Sequence, residues 1–214
     1  MNTFAIHSIL AGIFISLGAI FSISVAPYGP LVQGLCFSLG LFGVLSTDSN
    51  LFTGSILLVE PLFKNIQYKK AYIAELITKW TKIWILNLIG ATLMVLFSIV
   101  LKIDVASIST AKANLSIDIL FVKSILCNIL VCFAVWLYRK HTPSPQTALI
   151  ASLPPVACFV TCGFEHSIAD MFYMLLGYSQ GAVSILDCVR VIGVATIGNV
   201  IGGIIFTFLG RYEK

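Results

Sequence analysis

Glu165 and His166 stand side by side in a stretch of sequence that is otherwise strongly apolar. An ionisable residue inside an apolar segment indicates a functional site, and a neutral imidazole can exchange a proton with a weak acid near physiological pH. A histidine that is satisfied by backbone groups is the structural alternative. For Glu165 we expect a structural role, in which it holds irregular backbone through hydrogen bonds, rather than a role in a proton relay.

Two groups of polar residues interrupt apolar runs that are otherwise long enough to cross a membrane. Residues 46–50 interrupt the run 31–63, and residues 161–166 interrupt the run 146–177. Backbone that is not helical is tolerated at membrane depth only where protein buries it or where it lines a cavity. Two such interruptions therefore predict a pathway through the protein.

A short helix is predicted to restart after each interruption, at about Phe52 and at His166. The start of a helix presents unpaired N–H groups and a partial positive charge, and both favour an anion. The polar residues near these two starts have an ordinary alternative role, which is to cap the helices. They are Ser49, Asn50, Thr53 and Ser167.

The composition indicates that most of the chain lies in a membrane. Of its 214 residues, 58% are hydrophobic and 10% are charged, whereas a soluble domain carries about 25% charged residues. The first apolar run lacks a preceding basic segment and is longer than the core of a signal peptide, so we interpret it as a retained span. Uninterrupted segments that reach the roughly 20 residues of a spanning helix are 4–25, 83–101, 117–138 and 185–209.

Together with the two interrupted runs, these segments predict an all-α membrane protein of six transmembrane helices, with spans 2 and 5 broken. The motif Asn87-Leu-Ile-Gly90 follows the first interruption, and Asn199-Val-Ile-Gly202 follows the second at nearly the same distance. Three spans in each half make the second copy inverted, so we expect one transmembrane domain over 1–214 with repeat halves of about 1–105 and 106–214. Glycines in and beside the motifs would let helices approach closely: Gly90, Gly198, Gly202 and Gly203.

Basic residues are distributed unevenly between the two sides of this topology. The loops after spans 2 and 4 and the C-terminus carry most of them. The opposite side holds Lys102, Lys112 and Arg190, and Lys123 lies inside span 4. The positive-inside rule therefore places both termini in the cytoplasm. The net charge of +4 is spread over short loops, so we expect no nucleic-acid binding.

The cysteines do not form a ligand set for a metal. Cys158 and Cys162 are one helical turn apart and His166 follows one turn later, but no further ligand has a suitable spacing. We expect the cysteines to pack as small residues, with no metal and no cofactor bound.

Several stretches of the sequence resemble the formate/nitrite transporter family, which includes formate, nitrite and hydrosulfide channels. They occur in the order typical of the family and extend over nearly the whole chain. They are Phe37-Ser-Leu-Gly-Leu41, Asn50-Leu-Phe-Thr-Gly54, Cys127-Asn-Ile-Leu-Val-Cys-Phe-Ala-Val-Trp136, Gly163-Phe-Glu-His-Ser-Ile-Ala169 and Gly198-Asn-Val-Ile-Gly-Gly203.

The resemblance implies an aquaporin-like protomer in the lipid bilayer, assembled as a homopentamer with a pore in each subunit. It also implies two apolar constrictions with His166 between them, formed by Phe37, Leu41, Phe52 and Phe159. Three further residues match polar or basic residues of the family's pore: Thr53, Asn128 and Lys112, of which Lys112 would draw anions toward the outer vestibule. We expect structural roles near the pore for Glu165, Asn87 and Asn199.

The chain departs from the family pattern close to His166. The family often has asparagine where this chain has Asp170, and a usual proline is replaced within Met174-Leu-Leu-Gly177. A carboxylate at position 170 would oppose an anion near His166. Considered without the resemblance, Lys112 would be a solvated loop charge.

We therefore predict a channel in the inner membrane for a small monovalent anion or its conjugate acid. If transport is linked to protons, we assign that linkage to His166. Formate is the first substrate expected, followed by nitrite and hydrosulfide. A channel for water or neutral solutes is the nearest alternative. An intramembrane enzyme built on Cys162, His166 and Asp170 belongs to another class, but neither a substrate domain nor an oxyanion motif accompanies these residues. A purely structural assembly factor is disfavoured by the central histidine.

Overall fold

The computed structural model describes residues 2–64 and 68–210, and within these ranges the chain is a bundle of helices joined by short loops. The α-helices are α1 Thr3–Ser24, α2 Pro30–Ser46, α3 Phe52–Ser55, α4 Lys69–Val100, α5 Ala106–Ala113, α6 Ile117–Lys140, α7 Pro145–Thr161, α8 Ser167–Ser179 and α9 Ile185–Gly210. Segments of 3₁₀-helix cover Ala26–Tyr28 and Ile56–Phe63.

Within the described ranges, four helices are long and apolar enough to cross a membrane by length and composition. They are α1, α4, α6 and α9, and they contain the four uninterrupted segments predicted from the sequence almost completely. The helix α4 starts at Lys69, well before the predicted residue 83, since its first turns are polar and extend beyond the apolar segment. The helices α2 and α7 are apolar but shorter.

Both predicted interruptions are present as helix ends. The helix α2 ends at Ser46, and Asp48 in the following turn has a φ of 50°. The helix α7 ends at Thr161, and Gly163 in its following turn has a φ of 64°. A positive φ is incompatible with a right-handed helix, so the helix ends and an irregular turn leads to the next helix.

The two helices that follow the interruptions differ from each other. The helix α8 is a regular α-helix that starts at Ser167, with His166 as its N-cap. The helix α3 covers only four residues and continues as 3₁₀-helix to Phe63. The short helix predicted to restart at about Phe52 is thus present. Pro61 gives a physical reason why it does not continue as α-helix, because proline has no N–H and its ring collides with the preceding turn of an α-helix.

Tryptophan and tyrosine side chains of α4 hold this 3₁₀ segment and the end of α3. The indole Nε1 of Trp80 donates to the carbonyl oxygen of Ser55 over 3.0 Å. The hydroxyl of Tyr72 donates to the carbonyl oxygen of Leu58 over 2.7 Å. These bonds satisfy carbonyl groups near the place where α-helix changes to 3₁₀-helix.

Small residues allow the long helices to pack in close pairs, α1 against α4 and α6 against α9. A Cβ atom added at Gly90 would lie 2.1 Å from the carbonyl oxygen of Ile9 in α1. A Cβ atom added at Gly202 would lie 2.2 Å from the carbonyl oxygen of Ile125 in α6. The expected close approach is confirmed at both motif glycines.

Gly202→Ala should destabilise the protein, because the new methyl group would push α9 away from the backbone of α6. Overpacking of this kind costs about 1–3 kcal/mol. The matched control is Gly193→Ala in the same helix, where an added Cβ has no neighbour within 4 Å. Thermal unfolding in detergent should show a lower midpoint for Gly202→Ala only; equal midpoints for the two variants would contradict the packing of α6 on α9.

Candidate functional site

The side chain of Asn87 organises the first interruption. Its Oδ1 accepts from the backbone N–H of Phe52 over 2.9 Å. Its Nδ2 donates to the carbonyl oxygens of Ser8, over 2.7 Å, and of Asn50, over 2.9 Å. Asn87 is fully buried on α4, so one amide group joins α1, the turn before α3 and the first residue of α3.

Asn199 makes the same set of bonds at the second interruption. Its Oδ1 accepts from the backbone N–H of Ser167 over 2.9 Å. Its Nδ2 donates to the carbonyl oxygens of Ser124, over 2.7 Å, and of Glu165, over 3.0 Å. The helix α9 is thereby joined to α6, to the turn and to the first residue of α8.

The start of α3 is thus capped by another helix, and α8 is capped both by Asn199 and by its own His166. The capping roles considered for nearby polar residues are not observed. Thr53 Oγ1 bonds to His166, Ser49 Oγ bonds to Thr47 Oγ1 over 2.7 Å, and Asn50 Nδ2 donates to the carbonyl of Phe4. The hydroxyl of Ser167 is buried and has no hydrogen-bond partner within the described ranges.

His166 joins the two interruptions. Its Nε2 lies 3.0 Å from Thr53 Oγ1, and its Nδ1 accepts from the backbone N–H of Ala169 over 3.2 Å. An imidazole nitrogen that accepts a hydrogen bond carries no hydrogen, so the neutral ring has its hydrogen on Nε2 and donates to Thr53. Asn128 supports Thr53 from α6, because Asn128 Nδ2 donates to the Thr53 carbonyl over 3.2 Å and to the Asn199 carbonyl over 2.6 Å.

Two of the four residues predicted for the apolar constrictions contact the histidine or each other. The ring of Phe159 stacks on the imidazole of His166, with centroids 5.9 Å apart and 12° between the planes. Phe37 meets Phe159 edge to face at 5.8 Å. Leu41 and Phe52 are also buried, and neither belongs to the lining of the two cavities described next.

A cavity lies at each interruption. The Asn50 cavity has a volume of about 410 Å³ and is lined by Asn50, its neighbours in the first turn, and the charged residues Asp48, Lys79 and Arg139. The His166 cavity has a volume of about 330 Å³ and is lined by His166, Phe37, Phe159 and the charged residues Lys112, Lys123, Glu165 and Asp170. The two cavities share no lining residue.

The hydrogen bond between Thr53 and His166 joins a residue next to the lining of the Asn50 cavity to a residue that lines the His166 cavity. Gly54, which follows Thr53, lines the Asn50 cavity, and His166 lines the His166 cavity. Thr53 itself is fully buried. The side chains of Thr53 and His166 are therefore both buried at the point where the two interruptions meet.

Lys112 is held between two carboxylates beside His166. Its Nζ lies 2.5 Å from Glu165 Oε2 and 2.8 Å from Asp170 Oδ1. The Lys112 side chain is 14% exposed, and that of Asp170 is not exposed at all. The interpretation of Lys112 as a solvated loop charge is therefore wrong. The helix α5 folds over the start of α8 and buries the lysine, a contact that the sequence alone did not reveal.

Arg190 of α9 fixes the end of α5 that carries Lys112. Its guanidinium donates to the carbonyl oxygens of Ala113 and Leu115, the latter over 3.0 Å. Burial alone would lower the pKa of Lys112, but the charges of Asp170 and Glu165 outweigh it and raise the pKa above its ordinary value. Lys112 therefore remains a cation.

The pairing of Asp170 with Lys112 is the feature of the site that we did not foresee. The sequence contained a signal for it, since an acidic residue inside an apolar helix needs a cation nearby. Glu165 and Asp170 face the same lysine, so the carboxylate expected to oppose anions is neutralised in part. The Glu165 backbone carbonyl also accepts from Asn199, whereas its side chain contacts Lys112.

The chain belongs to the formate/nitrite transporter family, whose family profile, Formate/nitrite transporter, matches residues 1–212. It is 33% identical to the formate channel FocA of Escherichia coli strain K12 over 192 residues, which are 79% of this chain and 64% of FocA. It is 28% identical to the nitrite transporter NirC of Salmonella typhimurium over 227 residues, covering 98% of this chain and 82% of NirC. The chain thus spans less than two thirds of the length of FocA.

Solved structures show the same fold. A pentameric formate channel with formate bound superposes with a TM-score of 0.78 at 28% identity, covering 98% of this chain and 94% of that chain. An ion channel of the same family gives a TM-score of 0.85 at 26% identity, covering 98% of this chain and 88% of that chain. The chain therefore shares both the sequence family and the fold of these channel structures.

Lys112→Met should destabilise the protein strongly, because it leaves Glu165 and Asp170 without their shared cation. Loss of one partner from a buried ion pair costs about 3–5 kcal/mol. The triple variant Lys112→Met, Glu165→Gln, Asp170→Asn removes all three charges and should recover much of the loss. Thermal unfolding in detergent measures both effects, and a triple variant no more stable than Lys112→Met would argue against the three-residue cluster.

Proposed function

We propose that the protein is a channel for small monovalent anions or their conjugate acids, with formate as the first substrate. Nitrite and hydrosulfide are the alternatives within the same fold. The observation that carries this proposal is the bond between Thr53 and His166, which stands between a cavity at each interruption. The similarity to FocA and NirC supports the choice of substrates.

The architecture that we propose is one transmembrane domain of six spans in an inverted, aquaporin-like repeat of 3+3 helices. In it α2 with α3 and α7 with α8 each form one broken span, and the halves cover about 1–105 and 106–214. The matched bonds of Asn87 and Asn199 support the repeat. Because Asn87 accepts from Phe52 and Asn199 accepts from Ser167, we treat these two residues as equivalent positions in the two halves. This equivalence refines the alignment of the halves that was based on the motifs alone.

We propose an orientation in the inner membrane with both termini in the cytoplasm. Lys79 and Arg139 line the Asn50 cavity, and the positive-inside rule then makes this cavity the cytoplasmic vestibule. The His166 cavity would open to the outside. A homopentamer is the expected assembly, since one of the similar solved structures is a pentameric formate channel.

The path between the cavities would pass the predicted constrictions. Phe37 and Phe159 would form the outer one, beside His166, and Leu41 and Phe52 would form the inner one. Apolar rings oppose a bare ion because its desolvation is expensive, whereas a neutral acid pays much less. We therefore propose that formate crosses the centre together with a proton, as formic acid.

The role of His166 in this step is constrained by its hydrogen bonds. The neutral ring offers Nε2–H through Thr53, whereas a second proton would have to bind at Nδ1 and displace the bond from Ala169 N–H. The start of α8 would also oppose a positive ring. We propose that His166 and Thr53 act as hydrogen-bond donors to the passing solute, and that proton exchange by His166 itself remains the competing hypothesis.

Uptake measurements in proteoliposomes would test the substrate class. Formate, nitrite and hydrosulfide should each be compared over a range of pH, with water permeability as the measure of a neutral-solute channel. We expect formate uptake to rise as the pH falls, because the conjugate acid becomes more abundant. Permeability to water without uptake of any of the three would overturn the proposal.

His166→Asn separates the two roles of the histidine. Asparagine is a good N-cap, so its Oδ1 should still accept from Ala169 N–H, but the side chain does not titrate. We expect slower formate uptake, by about tenfold or more, with an unchanged shape of the pH profile; loss of one hydrogen bond in a transition state costs factors of this order. A flattened pH profile would instead assign proton exchange to His166.

A further inference from the structure

We propose that Lys123, rather than Lys112, is the cation that attracts anions into the His166 cavity. The inference rests on the proposed anion transport and names a residue for its first step. It follows from how the charges that line this cavity are paired.

The charge of Lys112 is already paired with acidic side chains. Its ammonium contacts one carboxylate oxygen of Glu165 and one of Asp170, and it also lies 5.4 Å from the ring centre of Tyr173. Two of the three N–H donors of this ammonium are thus taken, and an approaching anion would also meet both acidic side chains. Two acidic side chains therefore occupy this ammonium, and it has little charge left to attract an anion.

The charge of Lys123 is available. It belongs to α6 and lines the same cavity. No ion pair with an acidic side chain joins Lys123 anywhere in the described ranges 2–64 and 68–210. Its Nζ lies above the turn after α7, 3.7 Å from the place that a Cβ atom at Gly163 would occupy.

The backbone of Lys123 is joined to the turn that leads to His166. Its carbonyl oxygen accepts from the N–H of Glu165 over 3.4 Å, one residue before the histidine. The long apolar stem of a lysine can follow an apolar wall while its ammonium stays in water. The side chain can therefore hold a charge in the cavity that leads to the proposed central site.

Lys123 is the second lysine in the lining of the His166 cavity. The side chains of Lys112 and Lys123 oppose those of Glu165 and Asp170, and His166 is neutral in the tautomer that its bonds define. Removal of the Lys123 charge would leave this lining with Lys112 alone, whose ammonium already contacts both carboxylates. A change of one charge in a narrow cavity alters the local concentration of a monovalent anion, and its effect falls with salt.

The test compares Lys123→Met with Lys123→Arg in the full-length protein, in proteoliposomes oriented to receive formate at the His166 cavity. The Met variant keeps the length of the side chain and removes its charge. We expect the formate concentration for half-maximal uptake to rise about fivefold, which corresponds to roughly 1 kcal/mol for one charge in an aqueous cavity. In the Met variant the half-maximal formate concentration should also lose most of its dependence on ionic strength, whereas the Arg variant should behave like the unmodified protein.

A second variant tests the pairing that makes Lys123 necessary. Asp170→Asn removes one of the two carboxylates that neutralise Lys112. Added to Lys123→Met, it should move the half-maximal concentration back toward the original value, and it should do so most clearly at low ionic strength. A merely structural role of Lys123 would not predict this recovery.

The outcomes separate this inference from the proposed function. If the unmodified protein takes up formate and Lys123→Met leaves the half-maximal concentration and its salt dependence unchanged, Lys123 is not the attracting cation. If Lys123→Arg is impaired as much as Lys123→Met, the side chain acts through packing and the inference also fails. If the unmodified protein takes up neither formate, nitrite nor hydrosulfide, the proposed function fails first.

Discussion

A helix that starts inside a protein leaves backbone N–H groups without partners, and the structure depends on how Asn87 and Asn199 supply them. Each asparagine stands on a long helix, accepts from the first N–H of a short helix and donates to two carbonyl groups. In an apolar environment an unsatisfied backbone group is expensive. The irregular turns can therefore lie within the bundle only because these side chains replace water.

The position of His166 follows from this constraint. Because Asn199 fixes Glu165 and Ser167, the residue between them has little freedom, and its ring points at Thr53 from the other interruption. The same fixed turn brings Glu165 to Lys112, and α8 adds Asp170 one turn later. Two amide side chains thus bring together polar residues that are far apart in the sequence.

Much of this arrangement could be predicted from the sequence. Long apolar segments identify α1, α4, α6 and α9, and polar residues within apolar runs mark both interruptions and His166. The Asn-x-x-Gly motifs pointed to the two asparagines, because an amide in an apolar helix must find partners. What could not be predicted were contacts across the chain. An acidic residue inside an apolar helix signals that a cation lies nearby, but local spacing does not identify Lys112 as the partner of Asp170. It also gives no sign that the segment after Ser55 becomes 3₁₀-helix.

Trp80 provides a natural reporter at this site. Its indole N–H is bonded to the carbonyl of Ser55, two residues after Thr53, and the chain has only two other tryptophans. The emission of an indole depends on whether its N–H is bonded and on the polarity around it. A movement of the segment behind Thr53 would thus change the intrinsic fluorescence of the protein, so that opening of the proposed path could be followed by fluorescence without an attached dye.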